Sequence, residues 1–510
     1  MENKRFIINL VSCIISFIIT LGINFLLTSY ITEAVGVEAY GFVSLANNFV
    51  NYASIITLAL NSMASRFISV SYHKKNMKEA NQYFNSVLIA NVSLILLLFI
   101  PSVFIILFLE KIVSISPELI IHVKILFSII FVNFFVSLIN TIFSVSTFIK
   151  GRVELINLRT MESNLLKALL MVVLFAIFGP NIIFIGLAYL IATLYLLVFN
   201  INYFIKLIPE IKMSKLYFDI KKIKTIFMSG VWNTITKVGQ VLTDGLDLLI
   251  CNWFVNPIAM GQLAVAKTIS TCTSTLTASL SSIFHPNMTY YFAIENKTEE
   301  IKQIKFSMKI GAFFTNILLA GIIALGLSLF KLWIPTQNIK LIYYTTVVTV
   351  IGIIVGSSIN TLFNVFTVTN KLKLNSIITL LQGLLNIIVM YILLKVKILP
   401  GYEIILISGI SVIMSIIKNL TFTPIYASKC LEVKWNTFYS TIFNGIVSAI
   451  VLIFSFLLIS KFFNPSSWLS LVLVSFICLL VGFIENYLIL FNKDQKNKIK
   501  ELVKMKFRRN

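Results

Sequence analysis

Three charged side chains lie inside one hydrophobic stretch of this chain, where charge is expensive. Lys237, Asp244 and Asp247 interrupt the segment Gly230–Phe254, which is otherwise rich in Val, Leu and Ile. A charge at the middle of a membrane costs about 2.5–3.5 kcal/mol on insertion scales. Such side chains either line a path for ions or polar substrates, or pair with one another inside a helix bundle.

The spacing of these residues predicts one polar helix face. At 100° per residue, Lys237 and Asp244 differ by about 20°, and Asp247 lies about 60° further round. Gln240 and Thr243 extend the same face. We expect this face to turn toward a water-filled cavity or a bundle interior. An internal ion pair that holds helices together is the alternative, but two acids and one base on one stripe favour a transport pathway.

The whole chain has the composition of a membrane protein. Its 510 residues are 58% hydrophobic and only 12% charged, and long uncharged runs recur throughout. The net charge of +22 would suit a nucleic-acid partner. However, the basic residues lie in short loops between hydrophobic spans, so no nucleic acid is expected as a partner.

The hydrophobic runs predict an all-α polytopic membrane protein with about 14 transmembrane helices. The predicted spans are approximately 6–30, 40–70, 84–109, 119–145, 163–179, 182–204, 226–253, 258–292, 308–333, 341–368, 375–394, 402–425, 437–460 and 467–490.

Lys and Arg residues set the predicted orientation. With a cytoplasmic N-terminus, 30 of the 42 lie in inside segments and 6 lie in outside loops. The positive-inside rule therefore predicts a multi-pass protein with both termini in the cytoplasm.

A weak internal repeat predicts how the helices are grouped. Val35–Ala46 and Val255–Ala266 are 220 residues apart and match at four of twelve positions, and Glu79 and Glu299 follow at the same shift. Since six helices return the chain to the same side, the two halves would have parallel topology. We therefore predict a six-helix lobe at 1–205, a basic cytoplasmic linker at 206–225, a second six-helix lobe at 226–425, two additional helices at 437–490 and a basic cytoplasmic tail at 491–510.

Two motifs carry a resemblance to a known family. The G-x-E-x-Y-G turn at Gly36–Gly41 and the segment NSMASRFISVSY around Arg66 resemble the polysaccharide branch of the multidrug/oligosaccharidyl-lipid/polysaccharide exporter superfamily. The resemblance implies a flippase of O-antigen or capsule repeat units in the bacterial cytoplasmic membrane. Its implied substrate is an undecaprenyl-pyrophosphate-linked oligosaccharide, and a polysaccharide polymerase is a further implied partner, along with membrane lipids.

Polar side chains in other spans are candidates to receive the sugar hydroxyls, each of which needs a hydrogen-bond partner away from water. The amide candidates are Asn24, Asn47, Asn48, Asn51, Asn360 and Asn364. The eighth span carries ten hydroxyls that would either line the path or pack helices closely. They are Thr268, Ser270, Thr271, Thr273, Ser274, Thr275, Thr277, Ser279, Ser281 and Ser282.

Charged candidates have separate expected roles. Lys237 and Lys267 would meet the pyrophosphate, since a lysine is a compact point charge, with snorkelling to the interface as the alternative. Arg66 is expected at a gate or at the membrane interface, and His285 at a helix kink before Pro286. Anchoring near span ends is expected for Lys124, Lys167, Lys418 and Glu485.

No enzyme signature is present in the sequence. We find no Walker A, G-x-S-x-G, H-E-x-x-H or C-x-x-C motif, and we expect no catalytic residue, metal site or cofactor. A proton or Na⁺ bound at Asp244 or Asp247 would couple the transport cycle, in which two lobes alternate access. The alternatives are a cation-coupled multidrug or metabolite antiporter of the same fold, a lipid II flippase, and a non-transporting scaffold of polysaccharide assembly.

Overall fold

The computed structural model describes residues 2–492, 495 and 496. Every regular element in these residues is helical, and they contain no strand. The prediction of an all-α fold is confirmed.

Eighteen α-helices follow one another along the described chain. The first eight are α1 (Glu2–Val35), α2 (Val37–His73), α3 (Met77–Leu107), α4 (Leu109–Ile112), α5 (Ile120–Phe143), α6 (Val145–Ile149), α7 (Val153–Phe178) and α8 (Ile182–Leu207). The others are α9 (Ile220–Gln240), α10 (Asp247–Phe254), α11 (Pro257–Ala293), α12 (Lys297–Trp333), α13 (Ile339–Val368), α14 (Leu372–Val396), α15 (Glu403–Leu420), α16 (Phe422–Cys430), α17 (Tyr439–Phe463) and α18 (Trp468–Leu490). Single 3-10 turns lie at Pro117–Leu119 and Lys215–Tyr217.

All fourteen predicted spans coincide with helix. Among the described residues, 12 helical segments are long and apolar enough to cross a membrane. The predicted spans outside that set are the seventh, over α9 and α10, and the eighth, which is α11. The three charges in the seventh span and the hydroxyl run in the eighth make them more polar than the rest. Fourteen crossings therefore stay a prediction.

Polar side chains at loop–helix junctions define where several helices begin. Asn76, Asn181, Asp219 and Asn338 each accept a hydrogen bond from a backbone N–H in the first turn of the helix that follows. The first N–H groups of a helix have no partner within it, and such a cap stabilises the helix by about 1 kcal/mol.

The described residues form two compact units. Unit 1 consists of Met1–Val265 and Ser376–Ile404, and unit 2 consists of Ala266–Asn375 and Ile405–Asn510. Helices α9 and α10 thus pack within unit 1, as does most of α14. The units group helices by contact, whereas the lobes at 1–205 and 226–425 were predicted from a repeat, and that division stays a prediction.

Aromatic side chains fill the core of unit 1. Phe84 of α3 stacks on Phe204 of α8 with ring centroids 4.5 Å apart, and Phe143 of α5 meets Phe204 edge-on at 5.3 Å. Such pairs contribute about 0.5–1.5 kcal/mol beyond the area they bury. Ile208 and Ile211, just after α8, are buried in the same cluster.

Buried amides fasten the last two helices to α12 within unit 2. Asn316 of α12 donates from Nδ2 to the backbone oxygen of Gly445 on α17, at 2.8 Å. Asn486 of α18 donates to the backbone oxygen of Phe313 at 2.7 Å and accepts from Ser448 of α17. Helices α17 and α18 are therefore part of the core of this unit.

Two stretches at the predicted 220-residue shift have matching local structures. Helices α2 and α11 are both 37 residues long and begin 220 residues apart. Each is followed by a turn with one left-handed residue, Lys75 (φ 59°) or Glu295 (φ 56°). Asn76 and Asn296 then cap α3 and α12, each accepting from the N–H three residues later at 3.2 Å.

Two equivalent glycines of the repeat touch one another. A β-carbon built on Gly41 would lie 2.8 Å from the Cα of Gly261, which is closer than real Cβ atoms come. The start of α2 and the start of α11 therefore meet backbone to backbone, and only glycine fits there.

Candidate functional site

The seventh predicted span is a helix interrupted in its middle. Helix α9 ends at Gln240, Val241–Gly245 forms one π-helical turn, and α10 begins at Asp247. Across this π-turn, the N–H of Leu246 donates to the backbone oxygen of Val241 at 3.1 Å, five residues back instead of four. A turn of this kind takes in an extra residue, and it is frequent at functional sites.

The π-turn divides the polar stripe that the sequence predicts. Gln240 and Asp244 are exposed and Lys237 is half-buried, whereas Thr243 and Asp247 are buried at 3% and 1% exposure. The prediction that all five share one face is wrong. The extra residue rotates the following side chains by about 100° relative to a continuous α-helix.

Side chains from two neighbouring helices bind the carbonyl groups that the π-turn releases. The backbone oxygen of Gly245 accepts from the Tyr52 hydroxyl at 2.6 Å and from Asn48 Nδ2 at 3.2 Å, both on α2. The backbone oxygen of Thr243 accepts from Asn386 Nδ2 of α14 at 2.9 Å. A broken helix is tolerated within a membrane only where such groups are satisfied internally.

Sequence reasoning missed Tyr52 and Asn386 as part of this site. Asn386 is buried, and it lies in the middle of the apolar span 375–394. An amide in that position was the available signal, because intramembrane polar groups are costly without partners. Tyr52 had no comparable signal.

Close backbone contact holds α9 against α14. A β-carbon on Gly239 would lie 2.5 Å from the backbone carbon and oxygen of Thr379, and one on Gly383 would lie 2.6 Å from the oxygen of Gly239. Small residues at helix crossings let membrane helices approach in this way. The approach brings Asn386 within reach of the π-turn.

Asp247 is the buried acid of the site. It is the first residue of α10, and its carboxylate interacts electrostatically with Tyr52. Near the other end of α10, the side chain of Asn252 accepts a hydrogen bond from the N–H of Ser114 at 2.8 Å and donates one to the backbone oxygen of Ser114 at 3.0 Å. Helix α10 is thus held at both ends.

The hydroxyl run of α11 divides between packing and exposure. Ser270, Thr273, Thr277 and Ser281 are buried, and Ser270 bonds Thr349 of α13 at 2.5 Å. The predicted packing role is therefore observed on the buried side of the helix, and lining of a substrate path by the exposed side stays a prediction. The exposed members with described side chains are Thr271, Ser274 and Thr275, Thr268 is half-buried, and the side chains of Ser279 and Ser282 lie outside the described residues.

The other predicted candidates are dispersed. Asn51 and Arg66 are exposed on α2, and Asn47 donates to the backbone oxygen of Val43 in its own helix at 2.9 Å. Lys267 and Asn360, both in unit 2, are half-buried. None of these five residues takes part in the hydrogen bonds described around the π-turn.

Lys167 does not lie where the sequence predicts. Expected as an anchor near a span end, it is only 6% exposed on α7. Its Nζ lies 3.4 Å from Asn24 Oδ1 of α1 and 4.8 Å from the ring of Tyr189 on α8. One turn away, Asn164 donates to Thr20 at 2.9 Å. The prediction failed because polar partners on α1 hold the ammonium inside unit 1.

The described residues contain no group of three or more His, Cys, Asp or Glu side chains placed to hold a metal ion. Lys124 bonds Glu110 at 2.6 Å and the backbone oxygen of Leu107 at 3.0 Å, which suits its expected anchoring role near the end of α3. Glu485 accepts from Ser455 at 2.7 Å and so joins α18 to α17.

Residues 4–292, more than half of the chain, match a family model described as polysaccharide biosynthesis protein. Among curated proteins, the chain is 27% identical over 451 residues to the uncharacterized membrane protein EpsK of Bacillus subtilis (strain 168), with 88% of each protein covered.

Solved transporter structures share the fold. The lipid II flippase MurJ, in an inward closed conformation, has a TM-score of 0.64 at 18% identity and covers 93% of this chain and 98% of its own. The multidrug transporter DinF-BH has a TM-score of 0.67 at 15% identity, with 84% and 97% covered. An inward-facing transporter of the MATE family and MOP superfamily has a TM-score of 0.59 at 13% identity, with 84% and 99% covered.

Proposed function

Because this chain belongs to the family of polysaccharide biosynthesis proteins, we propose that it is a transporter that moves a lipid-linked saccharide across a membrane. In its specific form, the substrate is an undecaprenyl-pyrophosphate-linked oligosaccharide. The headgroup passes from the inner to the outer leaflet of a bacterial cytoplasmic membrane by alternating access. The predicted resemblance to the exporter superfamily is confirmed by the family match and the shared fold.

The interrupted seventh span is the observation that carries this proposal. A helix in a membrane protein has no structural need for Lys237, Gln240 and Asp244, and each keeps surface accessible. Side chains of α2 and α14 donate hydrogen bonds to backbone oxygens of the π-turn at Val241–Gly245. Single π-turns inside helices are frequent at functional sites.

In this proposal, Lys237 receives the pyrophosphate. A lysine is a point charge with three donors and suits phosphate oxygens. The exposed amide of Asn51, which lies in the same unit as Lys237, can hydrogen-bond sugar hydroxyls, which lose about 4–8 kcal/mol each if transferred to hydrocarbon without a partner.

Asp244 and Asp247 are the proposed coupling residues. A proton or Na⁺ would bind at one of them and bias the transport cycle, and a membrane potential contributes about 2.3 kcal/mol per charge per 100 mV. The buried Asp247 lies beside Tyr52, so a change in its charge alters contacts of the π-turn with α2.

Two other transport functions are compatible with the fold. A lipid II flippase is favoured by the 93% of this chain that MurJ covers, against 84% for the drug transporters. A cation-coupled drug or metabolite antiporter is favoured by the similar TM-scores of those transporters. A scaffold of polysaccharide assembly would need none of the charges of α9 and α10.

Proteoliposomes with a fluorescent polyprenyl-pyrophosphate oligosaccharide and an impermeant quencher outside test the proposal. Flipping should be protein-dependent, and Lys237→Gln should lower its rate about tenfold, as expected from losing one charge-assisted hydrogen bond of about 1.5 kcal/mol. Lys340→Gln, which removes an exposed lysine at the start of α13, is the matched control and should flip at the wild-type rate.

Each alternative gives a different result in the same vesicles. Exchange of a small cationic dye without lipid flipping would identify the antiporter, and selective flipping of lipid II would identify that substrate. If Lys237→Gln and Lys340→Gln flip equally fast, the role of Lys237 is wrong although the transport function stands.

A further inference from the structure

The stretch 206–224, which comprises the end of α8, the connection to α9 and the first residues of α9, is rich in lysine, and the proposed transport does not use it. Residues 206–224 hold six lysines and two acidic residues. Lys222 pairs with Glu79 of α3 at 2.5 Å. Lys212, Lys215, Lys221 and Lys224 are exposed.

Two asparagines of α3 hold the backbone of this segment. Asn81 accepts from the N–H of Lys212 at 2.7 Å and donates to the oxygen of Glu210 at 3.2 Å. Asn85 donates to the oxygen of Lys212 at 2.8 Å and accepts from the N–H of Ser214 at 2.8 Å. Both amides are at least nine-tenths buried. The segment is therefore fixed on unit 1 and is not a loose tether.

Further contacts fix its two ends. Ser86 of α3 exchanges hydrogen bonds with the backbone N–H and oxygen of Asp219, at 2.8 and 3.2 Å. Ile208 and Ile211 are buried in the aromatic core of unit 1. Ile208 and Ile211 are thus apolar side chains of this segment that point inward.

Four large apolar side chains of the segment point outward instead. Their exposed fractions are 53% for Met213, 95% for Leu216, 44% for Phe218 and 64% for Ile220. Because the backbone is held in place, these side chains cannot reach the core without breaking the bonds to α3. Together with the four exposed lysines they form what we call the linker surface.

We propose that the linker surface docks on anionic phospholipids of the cytoplasmic leaflet. The proposal rests on the proposed function and on the orientation predicted from the sequence, in which this segment is cytoplasmic. Bulk membrane phospholipid is the intended partner, and not the pyrophosphate of a transported substrate. The surface consists of Met213, Leu216, Phe218 and Ile220 with Lys212, Lys215, Lys221 and Lys224.

Position and charge favour a membrane over a protein partner. Leu216 lies four residues before α9 and ten residues before the predicted seventh span at 226–253, which places it near the predicted membrane surface. Apolar side chains among lysines match the boundary between headgroups and acyl chains. The negative potential of the cytoplasmic leaflet attracts such clusters over about one Debye length, roughly 8–10 Å.

A fluorophore at Leu216 tests the proposal. The full chain, with its five native cysteines replaced by alanine and Leu216→Cys labelled with an environment-sensitive dye, is placed in substrate-free nanodiscs. The discs contain phosphatidylcholine alone or with phosphatidylglycerol, and some lipids carry a nitroxide quencher. We expect strong quenching only with phosphatidylglycerol. Replacing Lys212, Lys215, Lys221 and Lys224 by Gln, or raising the salt concentration, should reduce it several-fold.

The matched control is Lys429→Gln with Lys434→Gln, which removes two exposed lysines from the connection between α16 and α17. It should leave quenching at Leu216 unchanged. A dye that stays in water in the presence of phosphatidylglycerol overturns the proposal and leaves a protein partner for this surface. Equal quenching in pure phosphatidylcholine would mean apolar insertion only, which also overturns it. Flipping is measured separately, so failure of one proposal is distinguishable from failure of the other.

Discussion

At the scale of single residues, the two acids of the seventh span have opposite surroundings. Asp244 is exposed within the π-turn, and Asp247 is buried beside Tyr52 at the start of α10. A buried carboxylate depends on its hydrogen-bonding and electrostatic partners inside the protein, whereas an exposed carboxylate keeps surface accessible to solvent, substrate or ions. The two positions should therefore respond differently to the same substitution.

We predict that Asp247→Ala lowers the free energy of unfolding by about 1–3 kcal/mol, because it leaves buried partners unsatisfied. Asp244→Ala should change it by less than about 0.5 kcal/mol and still slow flipping. Unfolding in detergent and flipping in proteoliposomes, measured on both variants, separate the two effects. Replacing both aspartates by asparagine should slow flipping without unfolding the protein, and a wild-type rate in that variant would remove the coupling role.

Residue types predicted the location of this site, but not its geometry. Charges in an apolar span identified the seventh helix because few other causes put Lys237, Asp244 and Asp247 there. The orientation of Asp247 could not be predicted from spacing, because a π-turn changes the periodicity on which that inference rests. The prediction for Lys167 failed for a different reason, since its partners Asn24 and Tyr189 lie on other helices.

At the scale of elements, the site consists of a break and the helices that support it. Helix α2 supplies Asn48 and Tyr52 and α14 supplies Asn386, so three helices share the hydrogen bonds of one turn. The helix boundaries themselves follow from hydrophobic runs and capping residues, and these were predictable. It was not predictable which helices contact one another, because the contact between α9 and α14 joins residues about 140 positions apart.

Asn386→Ala should lower the free energy of unfolding by about 1–3 kcal/mol, because the backbone oxygen of Thr243 loses its donor inside the protein. Asn202→Ala, at an exposed position of α8, is the control and should have little effect. Chemical unfolding of the two variants in the same detergent makes the comparison. Equal stability would mean that Asn386 does not support the π-turn.

Gly239→Ala should also destabilise the protein, by about 1–3 kcal/mol, since the new methyl group would overlap the backbone of Thr379. Gly321→Ala places the same methyl group in α12 where nothing lies within 4 Å. That control should stabilise its helix by about 0.5–1 kcal/mol. Opposite shifts in thermal unfolding are the expected result, and a gain of stability at Gly239 would contradict the observed contact.

At the scale of the whole molecule, the last two helices are structural parts of unit 2. Phe456 of α17 is 1% exposed, and Asn316 of α12 donates to the α17 backbone. The sequence placed α17 and α18 outside the repeat as additions. Their attachment through Asn486 could not be predicted, because an asparagine in an apolar span does not indicate which helix it faces.

We therefore predict that ending the chain after Asn436 prevents stable folding. Loss of α17 and α18 would remove the acceptors of Asn316 Nδ2 on α17 and expose the side chains of α12 that face these two helices. Size-exclusion chromatography in detergent should show aggregation for the shortened chain and a single peak for the full chain. A monodisperse shortened protein with unchanged thermal unfolding would show that the two helices are accessory.

The contact between Gly41 and Gly261 has an evolutionary consequence. In a dimer with two-fold symmetry, a residue at the axis touches its own copy. After gene duplication and fusion, that single position becomes two, and each still limits the size of the other. Relatives of this chain should therefore vary at these two sites only together and only among the smallest residues, which an alignment of their sequences can test.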